Sequence, residues 1–207
     1  MENIQLTYIL PPPEVDGSVS VEKSLVNRRS RRRFQNRAIT KEQLSQILWA
    51  AYGVANTAPG YARLRTAPSA GASYPLEIYV AAGNVNEIER GVYKYISEDH
   101  TLIRTIGADV RRELCAAALG QKMVEDAPAT IIYCAVFERI TGRYGRRGLE
   151  RYVCMDVGHS AQNVYLQAEA LLLGTCAIGA FSDDAVSQIL QLPQAEEPLY
   201  LMPVGYA

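Results

Sequence analysis

Five arginines surround one serine near the start of the chain, which reads Arg28-Arg29-Ser30-Arg31-Arg32-Arg33. Guanidinium groups form paired hydrogen bonds with phosphate oxygens, and a serine hydroxyl adds a further donor. The run therefore fits a binding site for a phosphate group, although many charge runs are only solvated surface. Nucleic acid is a weaker interpretation, because no aromatic residues for base stacking are interleaved with the arginines.

Two runs of small residues offer backbone that a planar ligand can approach closely. The first run lies between Thr66 and Pro75 and includes Pro68, Ser69, Ala70 and Gly71. The second lies between Ala177 and Phe181 and includes Ile178, Gly179 and Ala180. Taken alone, the first run is also typical of an ordinary loop, and the second of a core strand that ends in a turn.

Other chemistries lack the residues that they need. The chain contains no GxGxxG or GxxxxGK[ST] phosphate loop and no GxSxG nucleophile motif. Its two histidines, His100 and His159, are too few for a metal site or a histidine-centred hydrolase, so no metal is expected; His159 is predicted to be an interior residue. The cysteines form no CxxC pair and are predicted to be buried thiols: Cys115, Cys134, Cys154 and Cys176.

The composition is typical of one soluble globular domain, with 207 residues of which 48% are hydrophobic and 21% charged. A formal net charge of -1 provides no global field that would attract nucleic acid or an anionic membrane. The first residues lack the pattern of a secretion signal, and the longest uncharged apolar stretch, 170–181, is far shorter than the roughly 20 residues that span a bilayer. These features predict a cytoplasmic protein without nucleic-acid or membrane partners.

The pattern of hydrophobic residues predicts an α+β domain. Consecutive prolines make residues 1–20 an extended arm, and the Thr40 and Gln43 pair is a capping box for a helix that Gly53 ends. A long loop is expected from Asn56 to Tyr74. The other predicted helices are 21–27, 108–119, 150–173 and 183–190, and the predicted strands are 76–81, 91–96, 101–106, 130–137 and 199–204.

The predicted helix 150–173 carries apolar or small residues on nearly every side, among them Val157, Ala161, Val164, Ala168 and Leu171. A helix of this kind is typically buried all round. One domain with a modest sheet is not expected to cover such a helix on all sides. The sequence therefore predicts that this helix lies at the centre of a homodimer.

In their order and spacing, the arginine run, the Pro68-Ser69 loop and the Ile178-Gly179-Ala180-Phe181 turn resemble the nitroreductase superfamily. The likeness continues through residues 158–163 on the long helix to Pro203-Val204-Gly205 and covers nearly the whole chain. Within the superfamily, the three prolines 11–13, the loop 68–71 and the sequence Tyr93-Lys94-Tyr95 look like the branch that includes the azoline dehydrogenases of peptide tailoring.

The resemblance implies a nitroreductase-like domain over residues 21–207, with a central, mainly antiparallel sheet flanked by helices. It implies an obligate homodimer with a buried interface helix and one FMN in each of two shared pockets. The family's phosphate clamp corresponds to Arg28, Ser30 and Arg32, and Arg29 corresponds to a contact with the polar edge of the flavin. The loop Pro68, Ser69, Ala70 and Gly71 would reach the flavin of the partner subunit, while Ile178, Gly179 and Ala180 would present backbone amides to the flavin ring.

The resemblance also implies an activity, in which NADH or NADPH reduces the flavin and a nitroaromatic, quinone or similar small-molecule acceptor reoxidises it by ping-pong hydride transfer. Two alternatives stay open: an azoline dehydrogenase and a flavin-binding dimer without turnover. Many relatives have a basic tail beyond the last strand, whereas this sequence stops at Ala207; either a longer tail belongs to the protein, or another cation, such as Arg65, replaces it as a phosphate contact. Where azoline dehydrogenases have Lys-Tyr, this chain has Arg143-Tyr144, and arginine cannot serve as a base; Tyr144 is the single candidate for a catalytic side chain.

Overall fold

A seven-stranded sheet forms the centre of the structure, a computed structural model that describes residues 6–56 and 64–207. All of its neighbouring strands pair antiparallel, in the order β1-β6-β5-β4-β7-β9-β8. The prediction of a central antiparallel sheet is confirmed. The strands of this sheet are β1 Thr7–Ile9, β4 Leu76–Ala82, β5 Gly91–Ile96, β6 Thr101–Ile106, β7 Ala129–Ala135, β8 Gly174–Thr175 and β9 Glu197–Gly205, and a separate pair consists of β2 Val54–Asn56 and β3 Leu64–Arg65.

Helices cover both faces of the sheet, as predicted. They are α1 Val21–Asn27, α2 Lys41–Tyr52, α3 Arg111–Ala117, α4 Met123–Asp126, α5 Glu138–Tyr144, α6 Val153–Ala170 and α7 Asp183–Leu190. A short 3-10 turn, Ala70–Ala72, and a π-helical turn, Gly148–Tyr152, complete the regular structure. No helix among the described residues is both long and apolar enough to cross a membrane.

The alternation of side chains along the strands divides the interior into two cores. In β4, Ile78 and Val80 face one core while Tyr79 and Ala81 face the other. Helices α2 and α6 pack on the first face, and α3, α4 and α7 pack on the second. Because successive side chains of a strand point to opposite faces, a strand buried on both sides is apolar throughout, as β7 is.

Local capping determines the helix boundaries, and the observed boundaries lie close to the predicted ones. Thr40 accepts a hydrogen bond from the Gln43 backbone N–H (3.2 Å) and the Gln43 side chain accepts one from the Thr40 N–H (3.0 Å), which is the predicted capping box. Helix α2 then ends at Gly53. A Cβ at Gly53 would overlap the Trp49 side chain, which explains the glycine. Helix α1 and the β5–β6 hairpin also have their predicted bounds.

The long helix differs from its prediction in two ways. It begins with the π-helical turn, so that the regular helix α6 extends only from Val153 to Ala170. In the single chain α6 is buried on one face, by residues such as Val157, Ala161 and Val164, whereas Met155 is 52% exposed and Gly158 and His159 are exposed as well. Within the single chain the predicted interior position of His159 is not observed, because this residue projects from the outward face.

Two further predictions agree with the structure only in part. Cys115, Cys134 and Cys176 are buried thiols, but Cys154 is exposed at the start of α6, so the prediction for that cysteine is wrong. The predicted loop 56–74 lies partly outside the described residues, at 57–63. Within the predicted arm, Thr7–Ile9 pairs with β6 and forms the edge of the sheet, and Leu10 is buried in the first core.

Candidate flavin-binding site

The arginine run lies beside the short edge strand β8. Ser30 forms an isolated parallel β-bridge with Thr175, and the backbone N–H of Arg31 donates to the Thr175 carbonyl (2.9 Å). The Arg31 guanidinium forms a salt bridge with Glu169 on α6 (3.1 Å), a carboxylate that is only 10% exposed. Arg31 thus fixes the run against the domain, and its charge is already paired.

The other arginines of the clamp have no such partner. Among the described residues, no carboxylate lies within 4.0 Å of the guanidinium groups of Arg28, Arg29 or Arg32. Arg29 donates instead to the carbonyls of Val26 and Arg28 (3.0 and 2.8 Å). Several unpaired guanidinium groups close together repel one another unless an anion lies between them. This part of the chain therefore has the charge that a phosphate group needs.

A tyrosine on α6 joins the clamp to the second run of small residues. The Tyr165 hydroxyl lies 3.0 Å from the Ser30 hydroxyl and accepts a hydrogen bond from the Ala177 backbone N–H (2.8 Å). The Arg28 guanidinium lies 5.3 Å from the centre of the Tyr165 ring, within the range of a cation–π contact. Two of the predicted binding segments, far apart in sequence, are thus adjacent in the structure.

The turn after Ala177 presents free backbone donors. Ile178 exchanges two hydrogen bonds with Leu201 (2.9 and 3.0 Å), which anchors the turn to β9. Gly179 and Ala180 are exposed, and within the described part of the chain their N–H groups have no acceptor. We call Arg28, Arg29, Ser30, Arg32, Tyr165 and Ala177–Ala180 the clamp half-site.

The first run of small residues is held by a carboxylate. The Ser69 hydroxyl donates to one oxygen of Asp156 (2.6 Å), and the Ala70 N–H donates to the other oxygen (3.3 Å). The Tyr74 N–H in turn donates to the Ser69 hydroxyl (2.9 Å). This set of bonds fixes the course of the loop over α6.

Asp156 is 2% exposed, and burial raises the pKa of its carboxyl above its ordinary value. The hydrogen bonds from Ser69 and Ala70 and the nearby His159 oppose that increase. A cavity of about 320 Å³ adjoins the carboxyl and is lined by Pro68, Ser69, Ala70, Tyr152, Met155, Asp156 and His159. We call the loop Pro68–Gly71, together with Asp156 and this cavity, the loop half-site.

Tyr144, the candidate catalytic side chain, lies against Gly71. A Cβ at position 71 would overlap the Tyr144 hydroxyl, and Gly71 has a φ of +59°, a conformation that favours glycine. The Arg143 guanidinium donates to the Gly71 carbonyl (3.1 Å). Tyr144 therefore lies beside the loop Pro68–Gly71, and Gly71 is needed both for its backbone angle and for the space that it leaves.

The two half-sites lie on opposite sides of α6. Asp156 holds one and Tyr165 holds the other, and these residues are nine positions apart in a continuous helix. Nine residues correspond to about 13 Å along the axis and about two and a half turns. One chain therefore presents both groups of predicted residues but does not bring them together.

Arg65, the expected substitute phosphate contact, joins neither half-site. Its guanidinium bonds to the Ser97 hydroxyl, to the Glu98 carboxylate and to the Tyr52 carbonyl (3.1 Å). It also lies over the Tyr52 ring, 4.6 Å from the centroid. Its charge is thus paired within the chain, and its contacts give no support to a role in binding phosphate.

Sequence analysis missed Asp156, Tyr165 and Glu169, although each had a detectable signal. A carboxylate or a phenol within an otherwise apolar helix needs a polar partner when it is buried. Asp156 and Glu169 are the acidic residues of α6, and they bind the two segments that had been singled out for other reasons. Their partners could be identified only from the structure, because they lie 87 and 138 residues away in the sequence.

The comparisons with known proteins show the family of this chain. A profile of the nitroreductase family matches residues 25–206, and the chain belongs to that family. A protein of Methanocaldococcus jannaschii classed as a nitroreductase is 48% identical over 193 residues, which is 93% of both chains. A solved structure from Anabaena variabilis, also described as a nitroreductase, superimposes with a TM-score of 0.85 and 29% identity. The match covers 99% of this chain and 42% of the Anabaena chain.

The chain also has more distant relatives. The microcin B17-processing protein McbC of Escherichia coli is 27% identical over 141 residues, which is 66% of this chain and 51% of that protein. This chain therefore spans only about half of that relative. The predicted likeness to the azoline-processing branch is confirmed as a distant homology.

The raised pKa of Asp156 leads to a prediction about stability. A carboxyl whose pKa is higher in the folded than in the unfolded state stabilises the fold below its unfolded pKa of about 3.9. That contribution is lost as the pH rises through the folded pKa. Asp156→Asn removes the charge and keeps an oxygen that accepts from the Ala70 N–H, while its amide N–H can donate to the Ser69 hydroxyl in place of the bond that the carboxylate accepts. Its free energy of unfolding should therefore increase relative to the wild type between pH 4 and 7, by about 1.4 kcal/mol per unit of pKa elevation.

Urea unfolding at several pH values measures this difference. Asp156→Ala is the control, because it removes the charge and both hydrogen bonds and should be less stable than the asparagine variant throughout, by about 1–3 kcal/mol. A difference between wild type and Asp156→Asn that does not change with pH would contradict the account.

Proposed function

We propose that the protein is an FMN-dependent oxidoreductase that takes electrons from NADH or NADPH and passes them to a small-molecule acceptor. One observation carries the proposal: the clamp half-site has unpaired cations and free backbone N–H groups, while the loop half-site lies across α6. The donor set fits FMN, since the guanidinium groups and the Ser30 hydroxyl suit one phosphate and the N–H groups of Gly179 and Ala180 suit the polar edge of a ring. We expect a nitroaromatic or a quinone to serve as the acceptor.

We further propose that the functional unit is a homodimer with two shared pockets. In the single chain the outward face of α6 exposes Met155, Gly158 and His159, and an added Cβ at Gly158 would meet nothing within 4 Å. A second copy packed on this face would bring its loop half-site towards the clamp half-site of the first. Both pockets would then be completed at once, because a twofold interface applies the same contacts to each subunit.

The protein residues have binding and orienting roles in this mechanism. Bound FMN would supply the hydride chemistry. Arg28, Arg32 and Ser30 would hold the phosphate, and the N–H groups of Gly179 and Ala180 would stabilise negative charge that develops on the ring. Asp156 would keep the loop of its own chain in place through Ser69 and Ala70, so that the wall that this loop contributes to the partner's pocket is fixed before substrate enters.

The azoline dehydrogenase alternative has one supporting observation, the distant homology to the microcin-processing protein. The structure offers Tyr144 beside the loop, but its neighbour is Arg143, and arginine does not serve as a general base. A general base of the Lys-Tyr type is therefore lacking among the residues at this position. The NAD(P)H-dependent activity is favoured because it needs no side-chain base.

The first test of this function is the identity and behaviour of the bound cofactor. Purified protein reconstituted with flavin should contain FMN by mass spectrometry, since the clamp suits a single phosphate and no dinucleotide motif is present. Under anaerobic conditions the yellow absorbance should bleach with NADH or NADPH and return on addition of a quinone or a nitroaromatic. Bound FAD, or no flavin at all with excess FMN, would contradict the proposal; bound FMN that no nicotinamide reduces would favour a dimer without turnover.

The second test concerns the phosphate clamp. Arg28→Ala and Arg32→Ala should each weaken FMN binding by about 1.5–3 kcal/mol, the range for a lost hydrogen bond to a charged group. Fluorescence titration of the apoprotein with FMN measures the affinity. Lys23→Ala removes an exposed cation from α1 and is the control; if both arginine variants bind FMN as tightly as this control, the phosphate site lies elsewhere.

A further inference from the structure

An unusual concentration of arginine lies between the sheet and α6. Helix α5, the π-helical turn and the residues between them carry five exposed arginines: Arg139, Arg143, Arg146, Arg147 and Arg151. Only two glutamates, Glu138 and Glu150, accompany them in this stretch, whereas the whole chain has a formal net charge of -1. We call these five residues the arginine rim. It forms a local positive field on a chain that has none overall.

Carboxylates of the same chain neutralise only part of the positive charge of the rim. Arg139 is paired with Glu77, and Arg146 is paired with Glu150 in an exposed contact one helical turn away. Exposed pairs of that type contribute little and exchange readily with other anions. In the described residues Arg143, Arg147 and Arg151 have no carboxylate within 4.0 Å.

The rim also borders the cavity of the loop half-site. The Arg147 side chain donates to the Tyr152 hydroxyl (2.9 Å), and Tyr152 lines that cavity. Arg143 holds the Gly71 carbonyl, and the ring of Tyr144 packs edge-on against Tyr152 with 5.0 Å between centroids. The same two tyrosines therefore connect the arginines to the cavity wall.

This combination suits a ligand with two unlike parts. The cavity wall of Pro68, Met155 and Tyr152 offers apolar and aromatic surface for a flat ring, while the arginines beside it suit an anion. Nothing in the clamp half-site explains the rim, because in one chain the clamp lies on the opposite side of α6.

We infer that the arginine rim binds an anionic group of the substrate that reacts at this flavin pocket, a phosphate or another fixed anion outside the reacting ring. The inference rests on the proposed function. Two sources can supply the anion: the 2′-phosphate of NADPH on the donor side, or an acidic substituent on the electron acceptor. In either case the rim determines which substrates are used, and the ring chemistry is unchanged.

The test compares the double variant Arg147→Gln/Arg151→Gln with the control Arg112→Gln/Lys122→Gln. The control removes the same charge from α3 and its neighbouring turn, on the opposite face of the sheet. Flavin reduction is followed with NADPH and NADH, and reoxidation with a sulfonated naphthoquinone and a neutral one. Dithionite can replace the nicotinamide before reoxidation, so the acceptor arm works even if neither nicotinamide reduces the flavin.

We expect the rim variant to lose about tenfold in the second-order rate constant with NADPH or with the sulfonated quinone, while the counterpart that lacks the 2′-phosphate or the sulfonate changes less than about twofold. A loss confined to NADPH identifies the donor, and a loss confined to the sulfonated quinone identifies the acceptor. The wild-type preference should weaken as salt increases. Calorimetric titration with 2′,5′-ADP gives an independent readout of the donor arm, with about tenfold weaker binding to the variant and no change in the control.

Three results would overturn the inference. The rim variant could match the wild type with all four reactants, or the control could show the same losses as the rim variant. Alternatively, the wild type could bind polyglutamate through these arginines while both half-reactions are unaffected, which would assign the surface to an acidic protein. Failure of NADH and NADPH alike to reduce the flavin would refute the proposed donor without deciding the acceptor arm.

Discussion

The continuous helix α6 is the constraint on which the rest of the structure depends. A continuous helix fixes Asp156 and Tyr165 at about 13 Å along its axis and on opposite sides. Each residue holds one segment of small residues by hydrogen bonds, so the two segments cannot approach one another within a chain. This separation is the observation behind the proposal that the binding site forms between two chains.

The polar residues of α6 show how an apolar helix can organise a site. Its inward face joins the first core through residues such as Val157 and Val164, which fixes the helix against the sheet. Asp156 and Glu169 then bind the loop and the arginine run from that fixed support. The burial of Asp156 costs free energy, as its raised pKa indicates, and the contacts with Ser69 and Ala70 offset part of that cost. The site is positioned by the same helix that stabilises the domain.

Much of the fold could be predicted because local signals determine it. The capping box at Thr40 set the start of α2, and the hairpin 91–106 followed from alternating strands around a polar turn. The exposure of Cys154 and His159 could not be predicted in this way, because an apolar helix does not reveal which of its faces the same chain covers. Arg65 shows a related limit: its partners Ser97 and Glu98 are fixed by tertiary packing that spacing in the sequence does not encode.

The shared pocket can be tested most directly by mixing two defective subunits. Arg28→Ala/Arg32→Ala damages the clamp half-site, and Gly71→Val damages the loop half-site by overlap with Tyr144. Each variant alone should bind little FMN. If pockets form between chains, a purified heterodimer with one subunit of each kind has one pocket with both defects and one intact pocket, and it should bind one FMN per dimer with wild-type affinity. A heterodimer that binds FMN no better than the two parent variants would contradict the shared pocket, since each defect would then act within its own chain.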